Sequence, residues 1–189
     1  MVNSNNKNES DAAILFLDIK GYSDLSPVDA YSLHEIVINT LYQEIKQLCE
    51  KLEYRNSWGD GIVLIHTDPL ILAAIAVKIQ AFYGNEEEIN RLLASRYEKG
   101  TLQKIAEEYE LKNFSLQPRI ALHFGKVFKI KDEFKEDKSS YYGPDIIETA
   151  RIEPITPPGQ IWVTNQFKSR CQPEVTEEAE AQETTEADT

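Results

Sequence analysis

Ala12-Ala13-Ile14-Leu15-Phe16-Leu17-Asp18 is an unbroken apolar run closed by an acid, and Tyr54 to Trp58 and Ile62 to Ile65 are two further strand-like runs joined by Gly59-Asp60-Gly61. The first has the length and composition of a strand buried on both faces. The second reads as a hairpin with Asp60 at its tip. Each carboxylate is thereby fixed to rigid backbone. Two hard oxygen ligands held this way suit Mg²⁺ or Mn²⁺, which bind through one or two carboxylates and the phosphate oxygens of a substrate.

Working outward, Gly21-Tyr22-Ser23-Asp24 makes a loop after the first strand, and Ser26-Pro27 opens a helix that the spacing carries to about Leu52. Its apolar stripe is Leu33, Ile36, Val37, Leu41, Ile45, Leu48 and Leu52. A second helix runs from Pro69 to about Phe82 and ends at Gly84-Asn85, and residues 86–114 read as a more polar helical excursion. Arg119 to Phe124 and Lys126 to Ile130 read as two strands meeting at Gly125, followed by a charged loop from Lys131 to Ser140. A helix from Asp145 to Ile152, a strand from Gln160 to Val163 and a turn of helix from Asn165 to Ser169 complete the pattern. The order βαββαββαβ predicts an α+β fold on a ferredoxin-like βαββαβ core, a mixed and mainly antiparallel sheet with helices packed on it. In that layout the first strand lies beside the middle hairpin, so Asp18 and Asp60 can meet.

The chain of 189 residues suffices for one domain, placed at residues 12–170, between a polar N-terminus (1–11) and an acidic tail (171–189) that both read as disordered. Seven acids between Glu174 and Asp188 supply more than half of the formal charge of -12, leaving -5 on the rest. That balance argues against a nucleic-acid surface, which needs clustered Lys and Arg. Cys49 and Cys171 alone make a disulfide framework improbable, and the sequence shows neither a signal peptide nor a membrane-length apolar run. A cytoplasmic protein is expected.

Five collinear segments carry a resemblance. Leu15-Phe16-Leu17-Asp18-Ile19-Lys20-Gly21-Tyr22-Ser23, Trp58-Gly59-Asp60-Gly61, Arg119 to Gly125, the pair Tyr142-Gly143 with Ala150-Arg151-Ile152-Glu153, and Pro158 to Thr164 resemble the motifs of class III nucleotidyl cyclase catalytic domains. The resemblance implies cyclisation of a nucleoside triphosphate at two metal ions, Mn²⁺ or Mg²⁺, with pyrophosphate leaving. Asp18 and Asp60 match the metal-binding aspartates and Ile19 the backbone carbonyl ligand. Gly21, Tyr22 and Ser23 match the triphosphate-contacting turn, and Arg151 the arginine that stabilises charge on the α-phosphate. Lys126 falls where a basic phosphate contact often stands. The family's sites form across a head-to-tail dimer, so a homodimer with two composite sites is implied, together with a downstream effector that reads the cyclic nucleotide.

Where adenylate cyclases carry Lys and Asp, and guanylate cyclases Glu and Cys, this chain has Asn56 and Ser140, with Trp58 as an aromatic wall. Neither purine code is present. The stretch from Arg151 to Gly159 and the bare one-domain layout resemble the bacterial pyrimidine cyclases of Pycsar antiphage signalling, which implies UTP or CTP as substrate. The alternatives are an adenylate or guanylate cyclase and an inactive cyclase-like regulatory domain. The inactive reading draws on Ile147, which replaces the family asparagine, and on the lack of the usual closing Lys-Gly contact. His34, His66 and His123 read as structural, and Trp58 alone would read as sheet packing.

Overall fold

The computed structural model describes residues 8–94, 116–133 and 139–172. Strand β1 (Glu9–Lys20) forms the middle of the sheet because its apolar run can be covered on both sides. It pairs antiparallel with β3 (Gly61–His66) on one edge and with β4 (Gln117–Lys131) on the other, where twelve residues run in register from Glu9 opposite Phe128 to Lys20 opposite Gln117. β2 (Tyr54–Trp58) closes the hairpin with β3. β5 (Ser139–Tyr142) pairs antiparallel with the far half of β4, and β6 (Ile161–Val163) pairs parallel with its near half. The strand order is β2-β3-β1-β4-β5, with β6 alongside β4.

Alternation divides the sheet into two faces. Ala13, Leu15, Leu17 and Ile19 of β1 join Leu64 of β3, Ile120 and Leu122 of β4 and the buried residues of the helices in the main core. Each such side chain contributes about 1.5–3 kcal/mol when fully buried. The helices on that face are α1 (Pro27–Leu33), a π-helical segment (His34–Ile38), α2 (Asn39–Cys49) and α3 (Pro69–Gly84). α4 (Glu86–Ala94) contributes Ile89, and α6 (Asn165–Cys171) contributes Phe167. The opposite face is smaller: Ala12, Ile14, Ile65 and Val127 are covered by Phe16, Tyr54, Tyr141 and Ile146, the last on α5 (Pro144–Ile152).

The α+β sheet-and-helix fold is as the sequence predicts, but several elements differ in detail. β1 starts at Glu9, inside the segment read as disordered, because β4 is long enough to pair with it there; residues 1–7 lie outside the described residues. The helix expected from Ser26 to about Leu52 is three consecutive pieces ending at Cys49. Its buried residues Leu33, Val37, Leu41, Ile45 and Cys49 recur every four positions, which would rotate an α-helical stripe by about 40° at each step. The wider turn of the π segment takes up part of that drift. The two strands expected to meet at Gly125 are one strand, β4, and the strand that folds back on its far half is β5, which begins within the last two residues of the expected charged loop. Gly125 is not a turn residue: a Cβ there would lie 2.4 Å from the Asp145 carboxyl carbon, so glycine makes room for a side chain from α5. The excursion at 86–114 begins as α4, and its remainder, like the acidic tail from 173 onward, lies outside the described residues. Among the described residues no helix is long and apolar enough to cross a membrane.

Candidate active site

β1 and the β2–β3 hairpin deliver their carboxylates to one place. The Ile19 N–H donates to Asp60 Oδ2 at 3.1 Å, tying the hairpin tip to the end of β1. Asp18 hydrogen-bonds the Asp60 side chain, and burial together with this hydrogen bond and the Asp18 charge pushes Asp60 up to about 7. The Ile19 N–H works in the opposite direction but is outweighed. Ile19 itself is buried.

The turn after β1 packs on the same hairpin. Gly21 has φ +84°, a left-handed conformation that glycine adopts without strain, and it leads into a 3₁₀ turn at Tyr22–Asp24. The Tyr22 ring lies against Gly59, whose Cβ would sit 3.5 Å from Tyr22 Cε1. Burial and then the Asp60 charge hold the Tyr22 hydroxyl above its ordinary value, so it stays a neutral donor. Ser23 is exposed on this turn.

Sequence reading missed Arg119 and Glu153. Arg119 stands opposite Asp18 in the β1–β4 register and its Nη2 pairs with Asp18 Oδ2. Arg119 Nε lies 3.0 Å from Glu153 Oε1, close but not aligned as a hydrogen bond. Burial raises the Glu153 carboxyl against the pull of Arg119, and Asp18 adds to the rise. The signal was in the motif pairing, since antiparallel strands set Asp18 beside Arg119, but it needed the register. Asp18 and Glu153 thus share the Arg119 guanidinium, and Asp60 adjoins Asp18 with no such counter-ion, so the cluster holds more carboxylates than cations. A divalent cation fits that deficit and the oxygen donor set.

The remaining expected site residues divide. Trp58 is 55% exposed, with its ring 6.4 Å from Phe16, two residues before Asp18 on the same face. Asn56 is two residues before Trp58 on β2, and Tyr54, two further back, has its Oη 3.5 Å from Ser140 Oγ. Tyr54, Asn56 and Trp58 share the sheet's second face, and Ser140 meets it through Tyr54. Lys126 does not join them: it is seven residues along β4 from Arg119, about 23 Å, and its Nζ pairs with Glu9. Arg151 is exposed on α5, one helical turn beyond the exposed Ile147, and no described contact joins it to Asp18 or Asp60 within the protomer.

The architecture is that of nucleotidyl cyclase catalytic domains. The chain is similar to the guanylyl cyclase Cya2, at 21% identity over 89% of this chain and 82% of that one, with a TM-score of 0.61. It is similar also to the dimeric guanylyl cyclase domain of the RhoGC fusion protein from the aquatic fungus Blastocladiella emersonii, at 17% identity over 91% and 93% of the two chains, with a TM-score of 0.59. A third likeness is to the adenylyl cyclase CyaB from P. aeruginosa, at 13% identity over 86% and 80%, with a TM-score of 0.55. No family model matches the sequence, and no curated protein matches it.

Proposed function

We propose that this chain is a nucleotidyl cyclase, converting a nucleoside triphosphate, UTP or CTP, to a 3',5'-cyclic nucleotide and pyrophosphate. The observation that carries the reading is the meeting of Asp18 and Asp60 at the end of β1, on a fold shared with guanylyl and adenylyl cyclases. Asp18, Asp60 and the Ile19 carbonyl would hold two Mn²⁺ or Mg²⁺ ions, which when bound neutralise the phosphates and acidify the attacking 3'-hydroxyl. Asp60 gives up its proton to bind them, and Arg119 keeps the Asp18 carboxylate aimed along the strand end. Backbone N–H groups of the Gly21-Tyr22-Ser23 turn cradle the triphosphate. Arg151, permanently charged and planar, stabilises negative charge at the α-phosphate.

Arg151 is exposed and makes no described contact with the aspartates of its own protomer, which agrees with a homodimer, the assembly the cyclase resemblance implies, in which each site takes Arg151 from the other copy. Exposed Trp58, Ile147, Ile155, Trp162 and Val163 supply apolar surface for that association. Asn56 and Ser140 line the base side, offering neutral donors and acceptors where the purine codes use charges or thiol, and Trp58 narrows the space. This lining is the support for a pyrimidine, and with it for an antiphage signalling role in which an effector reads the product. Lys126, held by Glu9, has no part in this assignment.

Incubation of the purified chain with each of the four NTPs and Mn²⁺ tests it. Cyclic UMP or cyclic CMP is the expected product, and cyclic AMP or cyclic GMP alone would replace the pyrimidine reading with a purine cyclase. A catalytically silent regulatory domain is favoured by one observation, the exposed Ile147 where a ribose-binding asparagine is expected. No product from any NTP, with nucleotide binding retained, would select it.

A further inference from the structure

The middle of β4 carries a second polar cluster that the cyclase reading does not use. His123 is 1% exposed, with Nδ1 3.0 Å from Thr164 Oγ1 and Nε2 3.2 Å from Asp145 Oδ1. Asp145 and Glu148 are three residues apart on α5 and share a face. One ligand atom from each of His123, Asp145 and Glu148 lies within 4.8 Å of the others.

The chain makes room for this cluster and aims it. A Cβ at position 125 would lie 2.4 Å from Asp145 Oδ2, so Gly125 is what admits the carboxylate to the strand. The Lys126 N–H donates to Asp145 Oδ2 at 2.6 Å, fixing the group and turning Oδ1 toward the imidazole. Thr164 Oγ1 also accepts the Phe167 N–H at 3.3 Å, as the cap of α6, so the oxygen that orients His123 Nδ1 is itself held in place. A metal-binding histidine is built this way, with one nitrogen fixed by an oxygen and the other presented beside a carboxylate. The 3.2 Å between Nε2 and Oδ1 is the chord spanned by two bonds of about 2.1 Å meeting at about 100°, an angle that suits four-coordinate zinc.

We propose that His123 Nε2, Asp145 Oδ1 and the Glu148 carboxylate form a site for one divalent cation of the zinc type, separate from the aspartate pair. One nitrogen and two carboxylates select a borderline metal over Mg²⁺. The site lies four residues along β4 from Arg119, about 13 Å from the Asp18 register position. Its cation clamps α5 to β4, and α5 is the helix that carries Arg151. A hydrogen bond between His123 and Asp145 would fasten the helix without Glu148, so Glu148 is where a metal site and a simple anchor part.

The chain has only three histidines, which makes the test direct. The full chain, labelled with ¹⁵N-histidine, is titrated with Zn²⁺ in excess Mg²⁺ and no nucleotide, and affinity is measured by competition with a chromophoric chelator. One equivalent of Zn²⁺ is expected to move the His123 Nε2 resonance, and Glu148→Gln to weaken binding about tenfold or more while leaving the metal-free melting temperature unchanged. An unmoved His123 resonance, or Glu148→Gln binding as tightly as wild type, overturns the site. Neither readout needs catalysis, so failure of the cyclase reading and failure of this site are told apart.

Discussion

Along β1, Ala13, Leu15, Leu17 and Ile19 face the helices and are buried, while Phe16 and Asp18, on the intervening positions, are only partly covered. The same alternation places Leu64 of β3 under the helices, and sets Tyr54, Asn56 and Trp58 of β2 on the face they leave open. One face is filled by apolar side chains that hold the domain together. The other buries only the small patch of Ala12, Ile14, Ile65 and Val127 and is otherwise aromatic, half-exposed and charged at its end. Period-two alternation lets one strand supply both, so stability and chemistry are addressed by adjacent residues and can be altered separately.

The sharpest test of that separation removes a carboxylate from the open face. Asp60→Ala is expected to lower cyclase activity by a factor on the order of 10²–10³ or more, while the urea midpoint holds or rises, since burial and Asp18 already disfavour its charge. Loss of the folded state along with activity would break the division of labour. If each site also draws Arg151 from the other protomer, Asp60→Ala and Arg151→Ala are each inactive, yet an equimolar mixture recovers about a quarter of wild-type activity, because half of the randomly formed dimers carry one intact site. No recovery on mixing would place Arg151 outside the partner's site.

The complementary change is on the closed face of β1. Leu15→Ala is expected to cost about 2–5 kcal/mol by urea denaturation, and to leave kcat unchanged under conditions where the protein stays folded. A comparable fall in kcat with full folding would show that the core, and not only the open face, sets the geometry of the site.

The residues themselves show how much could be read beforehand. The apolar run before Asp18 and the Gly-Asp-Gly turn announced β1 and the hairpin, because burial and turn chemistry are local. Gly125 was misread because a glycine between two apolar runs looks like a turn, while its actual cause, the Asp145 carboxylate, is twenty residues away. Arg119 and Glu153 were missed for the same reason: their relation to Asp18 exists only once β1 and β4 are in register and α5 has folded back. Residue types that make the site were legible, and the contacts that orient them were not. The π-helical turn at His34–Ile38 is likewise a tertiary compromise rather than a local preference.

The smallest expected effect is on pH dependence, and it separates the two faces without any substitution in the core. Asp60 is raised from an ordinary 3.8 to about 7 in the folded chain. Its protonated form is therefore favoured by folding, so this contribution is fully present below pH 3.8 and is lost as pH rises through about 7. Metal-free protein should melt at a slightly lower temperature at pH 8 than at pH 5.5, the difference being blunted because Asp60 is only partly shielded from solvent. Asp60→Asn should flatten the profile. Mn²⁺ must displace the proton to bind, so its stabilising effect should grow over the same interval. A profile unchanged by Asp60→Asn would mean that Asp60 does not titrate over this interval and that a cation binding there releases no proton from it.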